Sequence, residues 1–329
     1  MLALAAATSL AGCRQNQPDG CRPDPAADAP GVPITLKHLE KPFFQIKNAA
    51  DGLQFLKANP RFARQFLRLG EVSADTLASA LAQLAADPSL QVLNQETAAA
   101  FPDSAGLQRE VAAMFGRVKY YFPDFKPPLT TVTFVSGLHG QGIFVNDSLL
   151  SLNLDWFVGP KASYRPKLPQ YMLRRYKPAD VLPGLATSVA NKYNKHDITA
   201  TSMLDHMVDE GKHLYFASRM LPCTPDSLIM GYTPNEIRDV RFNEGKVWGH
   251  FLENKLLYST APFIIQKYVG ERPNVPEISR LCPGRIGQWV GLQIVRKYMD
   301  EHPDVTLAKL MAEKDAQRIL NDSHYRPKK

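Results

Sequence analysis

The chain has 329 residues, 44% of them hydrophobic and 22% charged, with a formal net charge of +7. That composition is ordinary for a folded globular protein, and no stretch reaches the ~18 uninterrupted apolar residues of a membrane span. The excess positive charge suits lipid headgroups, envelope polysaccharide or another protein's acidic face; no Arg/Lys stripe interleaved with aromatics marks a nucleic-acid groove.

At the amino end, an apolar run from Leu2 to Leu10 leads into Ser9-Leu10-Ala11-Gly12-Cys13, which reads as a bacterial lipobox. On this reading residues 1–12 are a lipoprotein signal peptide, removed when Cys13 is acylated, and several acyl chains hold a protein firmly to a bilayer. Arg14 follows the cysteine in place of the aspartate that retains lipoproteins at the inner membrane, so the expected location is the outer membrane, facing the periplasm. Residues 13–34 carry five prolines and few large apolar groups, and are expected to form a flexible tether.

From residue 35 the pattern becomes helical. Segments near 49–69, 74–86, 89–100 and 104–121 place apolar residues three and four apart; Leu77, Leu81 and Leu84 share one face, as do Leu107, Val111, Met114 and Val118. Residues 130–158 then alternate as β-strands do, around an Asn146-Asp147 turn, and predict a small antiparallel sheet. The Gly-rich string SGLHGQG (136–142) is read as a hairpin turn.

Beyond Pro169 the chain is helical again. Thr233-Pro234-Asn235-Glu236 combines a Thr cap, Pro in the first turn and a capping-box Glu, and the helix it opens is expected to run through KVWGHFLENKLLYS. In the last long helix, Gly284, Gly287 and Gly291 form a nearly bare face. Gly inside a helix costs about 1 kcal/mol against Ala, so this face implies close approach of another backbone. The whole reads as one α+β, mostly helical domain over 35–322, with a basic tail at 323–329.

Of the four cysteines, Cys13 is assigned to lipid and Cys21 lies in the tether. Cys223 and Cys282 either pair in an oxidising compartment or remain free buried thiols.

The richest cluster of chemistry-bearing residues is MLDHMVDEGKHLYF (203–216). His206, Glu210 and His213 fall at i, i+4 and i+7 along one edge of the apolar face, with Asp205, Asp209 and Lys212 expected opposite, in water. A catalytic zinc helix carries His-Glu-x-x-His; here Asp209 stands where the first histidine belongs, and the motif occurs nowhere in the chain. The stripe is therefore read as structural. A divergent metallohydrolase using His206, Glu210, His213 and His250 is the competing reading. No Gly-x-Ser-x-Gly, Walker loop or cofactor motif is present, and no cofactor is expected. A binder of envelope glycan or solute would need Trp156, Trp248 and Trp289 to converge on one pocket.

These segments resemble the gliding motility lipoprotein GldB family. The matching strings are LPQYMLRRYKPADVLP (168–183), MLDHMVDEGKHLYFASRMLP (203–222), GYTPNE (231–236), FLENKLLYSTAP (251–262) and PGRIGQWVGLQIVRKYM (283–299). The resemblance implies an envelope component of gliding bacteria, where gliding and type IX secretion are joined, with other envelope proteins as partners; it supplies no biochemical activity. A more distant similarity links MLDHMVDEG and WVGLQIV to zinc peptidases of the gluzincin kind, which makes Glu210 a relic ligand. The element that would hold their histidines, near 182–193, has neither His nor Glu. The implied scaffold is zincin-like, without its metal site. Helices 201–217 and 284–300 are then expected side by side, with Gly211 near Gly287 or Gly291. Glu210 is expected to be partly buried against Arg285, Arg296 or His250.

Overall fold

The computed structural model describes residues 21–22, 24–196, 199 and 201–327; the leader 1–12 and Cys13 lie outside the described residues. A first strand, β1 (Leu36–His38), leads into α1 (Glu40–Phe43), α2 (Ala49–Ala58), α3 (Pro60–Gln65), α4 (Ala74–Ala86), α5 (Pro88–Ala100) and α6 (Ser104–Tyr121). Local chemistry sets these starts: the side chains of Asn48, Ser73, Asp87 and Asp103 each accept a backbone N–H of the following first turn. The periodicity over 49–69 does not make one helix. Pro60 lacks an N–H and pushes Asn59 out of the helical region, so α2 ends and α3 begins there.

Strands β2 (Thr130–Phe134), β3 (Ile143–Val145) and β4 (Leu149–Asn153) complete a four-stranded sheet of order β1-β2-β4-β3. It is mixed, not antiparallel as the strand pattern suggested: β1 and β4 both run parallel to β2, and only the β3–β4 hairpin at Asn146-Asp147 is antiparallel. The loop 136–142 is accordingly not a hairpin turn but the connection that passes β4 to reach the outer position. Buried Asp155 ties it down, accepting the Leu138 N–H at 2.7 Å and the Ser136 hydroxyl at 3.1 Å. Every residue of β4 is buried because helices cover both faces, as parallel pairing requires. Leu150 and Leu152 join the main core, while Val132, Phe134 and Leu149 join a smaller one built with α2 to α5.

The second half is an α-helical layer: α7 (Gln170–Leu173), α8 (Val181–Tyr193), α9 (Met203–Met220), α10 (Asp226–Met230), α11 (Pro234–Phe242), α12 (Glu244–Glu253) and α13 (Pro262–Tyr268). A short hairpin, β5 (Asn274–Val275) with β6 (Ser279–Pro283), precedes α14 (Ile286–Glu301), α15 (Leu307–Ala312) and α16 (Ala316–Ser323). Thr233 and Glu236 form the capping box of α11, but that helix ends at Phe242, and α12 stops at Glu253, before a left-handed Lys255. The result is an α+β domain, mostly helical. Among the described residues no helix is long and apolar enough to cross a membrane.

Helix α9 packs along α14 at the centre of the main core. A Cβ on Gly211 would lie 2.4 Å from the Gly291 carbonyl carbon, and one on Gly291 would lie 1.7 Å from Met207 O. Only glycine permits this backbone-to-backbone approach. Gly287 faces Val269 and Met207, whereas Gly284 precedes the helix and lies against Arg272 O; the bare face is therefore shorter than the glycine spacing suggested.

From Cys21 to residue 34 the amino-terminal segment is not a free tether. A disulfide joins Cys21 to Cys223, so Cys223 does not pair with Cys282, which is a free buried thiol. The Arg22 N–H donates to Pro222 O at 2.9 Å and the Val32 N–H to Ala112 O at 3.0 Å. Asp24 binds Arg219 and the Tyr121 hydroxyl, and Ala26 is fully buried. At the other end Tyr325 is buried with its hydroxyl on Glu244, so the first residues of the basic tail belong to the packed domain.

Candidate functional site

A cleft of about 800 Å³ opens between α8, α9 and the outer strand β3. Its walls follow from local sequence. The Ser202–Asp205 capping box fixes the start of α9, so His206 and Glu210, one turn apart, fall on the same side. Gly184 in α8 sits beneath Ile143, whose Cδ1 would be 2.9 Å from a Cβ there, which brings the helix close to β3. Thr187, Ser188 and Asn191 complete the α8 wall; the two hydroxyls donate back to Pro183 O and Gly184 O.

Charged groups of two kinds line this cleft. Arg175 and Arg285 share Glu271, at 2.8 and 3.5 Å. Arg285 also donates to Met230 O and Gln288 and lies over the Tyr232 ring, so its head group is fully engaged. The carboxylates are treated differently. Burial pushes Asp180 up to about 6, against the pull of Lys177. Glu210 has no hydrogen bond or ion pair among the described residues. Burial raises its pKa, the charges of Asp209 and Glu271 raise it further, and only the charge of Arg285 opposes them. The expected pairing of Glu210 is thus not formed: Arg296 is taken by Asp226 at 2.6 Å, and the His250 ring meets the Tyr268 hydroxyl at 2.8 Å.

Other residues of the stripe disperse. His206 lines the cleft and is exposed. His213 stays on the same stripe but does not line the cleft; the Asn194 amide lies 3.3 Å from its ring, burial lowers its pKa and Asp209 works against that. Lys212 is not in water. It is 2% exposed because the chain around α15 and α16 covers that side, and its ammonium donates to Lys195 O and Glu313 O. Burial brings it down to about 8. Among the described residues no group of three or more His, Cys, Asp or Glu side chains is placed to hold a metal ion. The three tryptophans also have separate surroundings: Trp156 lies by Tyr176, Trp248 by Tyr325, and Trp289 is 1% exposed in the core.

Sequence reading missed Asp180, Arg175, Glu271 and the segment 141–143 that leads into β3 as parts of the site. Asp180 and Arg175 sit in the string 168–183, but nothing in their spacing signals that they meet α9. Such a site can seat a cation or, through two carboxylates with raised pKa, move a proton.

Compared with known families, residues 20–327 match the model described as gliding motility protein GldB. No curated protein and no solved structure matches the chain.

Proposed function

The chain belongs to the gliding motility protein GldB family, and from that premise we propose that this gliding motility lipoprotein acts as a non-catalytic interaction component of the gliding and type IX secretion machinery. It is held at the outer membrane by acylated Cys13, faces the periplasm and works through other envelope proteins. The observation that carries the reading is the family match, which extends over the whole folded body and the amino-terminal segment docked on it. The reading includes a peptidase-like scaffold without its metal site; what supports the missing site is that Thr187, Ser188 and Asn191 of α8, rather than histidines, line the cleft with Glu210.

Two measurements test this. Cys13→Ala should leave the protein unacylated and released from membranes; wholly membrane-bound variant protein overturns the anchor. Elemental analysis of protein purified without added metal should find no stoichiometric zinc. About one zinc per chain, lost in a His206→Ala/His213→Ala double variant, overturns the non-catalytic reading.

A further inference from the structure

Strand β3 is the outer strand of its sheet. Antiparallel partners alternate between pairs that exchange hydrogen bonds and pairs that do not. The Asn153 N–H donates to Gly142 O at 2.8 Å and the Asn146 N–H to Leu149 O at 2.9 Å, so Gly142, Phe144 and Asn146 turn their backbone groups toward β4. Ile143 and Val145 therefore turn theirs outward, where a strand edge is a template for another strand. Phe144 packs on Phe66 in the smaller core, whereas Ile143 and Val145 pack toward the main core and line the space between the strand and α8.

That space is continuous. The main cleft and an adjoining cavity of about 440 Å³ share Gln141, Ile143, Ser188 and Asn191. One trough thus follows β3 with α8 as its far wall. The side-chain amide of Asn191, on an exposed residue, makes no hydrogen bond among the described residues. Within the same cleft Glu210 carries a desolvated carboxylate without a cation, while the nearby guanidinium groups are engaged by Glu271. The trough combines an unpaired strand edge with a carboxylate that lacks a counter-charge.

We propose that this trough is a peptide-binding groove: an extended segment of a partner protein adds to β3 as a fifth strand and places a basic side chain against Glu210. This is strand addition, in which backbone hydrogen bonds supply affinity and side-chain pockets supply selectivity. It rests on the reading of the protein as an interaction component and names its contact surface. A neutral or acidic strand would leave Glu210 desolvated and unpaired, or set two anions together, so the basic residue is the selective element.

The test uses the full folded chain and a positional-scanning library of acetylated, amidated hexapeptides. Lys and Arg should be enriched at one position and Asp and Glu depleted there. The selected peptide should bind at least tenfold more weakly when its alternate amides are N-methylated, since these can no longer donate to β3. Two variants of the protein should cut its affinity by at least tenfold while retaining the unfolding midpoint. Val145→Pro removes an outward N–H without touching the β4 ladder, and Asn191→Trp fills the trough from an exposed position. Glu210→Gln should abolish the preference for Lys over Gln at the enriched position. A library without enrichment overturns the groove, as does a selected peptide indifferent to N-methylation and to Asn191→Trp. The envelope reading is judged separately, by the fractionation of Cys13→Ala.

Discussion

Asp226 and Glu210 are both carboxylates drawn out of water in the same helical layer, and the fold treats them in opposite ways. The Asp226 side chain is 2% exposed and is held by Arg22, Arg241 and Arg296. Burial alone would raise its pKa, but the Arg296 hydrogen bond and charge, followed by the charge of Arg22 and the hydrogen bond from Arg241, bring it down to about 2. Glu210 receives no cation, and its pKa moves up. A charge removed from water is tolerated when paired and is destabilising when alone. The three arginines come from the amino-terminal segment, α11 and α14, so Asp226 stitches three parts of the chain together beside the disulfide. Glu210 stitches nothing, which is why the cleft is where a ligand can act.

The sharpest way to break this contrast is Asp226→Ala. It leaves three guanidinium groups around an empty centre and should lower unfolding free energy by about 3–5 kcal/mol, as loss of one member of a buried ion pair does; a loss under about 1 kcal/mol in urea titration would mean the cluster is ornamental. Cys223→Ser comes next. The bond links residues 202 apart in sequence, and losing such a closure should cost about 2–4 kcal/mol and expose the 21–34 segment to protease, while α9 and α14 remain protected from hydrogen exchange. Protection lost throughout would show that the two regions do not behave separately.

A pH series separates the two carboxylate environments more finely. Asp226, depressed to about 2, supplies stability that is complete above its unfolded pKa near 4 and disappears as pH falls through about 2. Asp180, raised to about 6, has the opposite sign: its penalty is absent below pH 4 and grows as pH rises to about 6, and Glu210 adds to it in the same direction. Unfolding free energy should therefore climb from pH 2 to about 4 and then decline toward 6, the Asp180 part being about 2–3 kcal/mol. Asp180→Asn should remove most of the decline. An unchanged slope would show that Asp180 is not desolvated. The smallest effect belongs to Glu210→Gln, which should leave stability at pH 7 within about 1 kcal/mol of the parent or slightly above it, because no partner is orphaned. A loss beyond 2 kcal/mol would reveal a partner for Glu210.

Much of the helical framework was legible from residues. The capping box at Thr233 marked a helix start, and the period of Leu107, Val111, Met114 and Val118 identified a face of α6 that is indeed buried. The glycine spacing pointed to close approach of α9 and α14. What escaped was what depends on distant chain. Strand alternation cannot report whether neighbours run parallel, so the mixed sheet was hidden, and so was the partner of Cys223, which lies at the other end of the sequence. Lys212 looked solvated because helical periodicity knows nothing of the chain around α15 and α16, whose approach supplies the Glu313 carbonyl. Glu210 was expected to be paired because candidate cations were abundant; each of them is committed elsewhere by contacts that only the folded chain makes.

The disulfide also sets a length. For a chain anchored at Cys13, the body is tied to the amino-terminal segment at Cys21, and eight residues span at most about 29 Å when fully extended. The corner of the domain that carries Cys223 then always stays within that distance of the bilayer, and the body can swing about this corner but cannot lift away from it. Opening the disulfide and peeling off the docked segment would lengthen the leash to Val32, where the backbone is next fixed at Ala112, and would more than double the height at which the domain can work above the membrane.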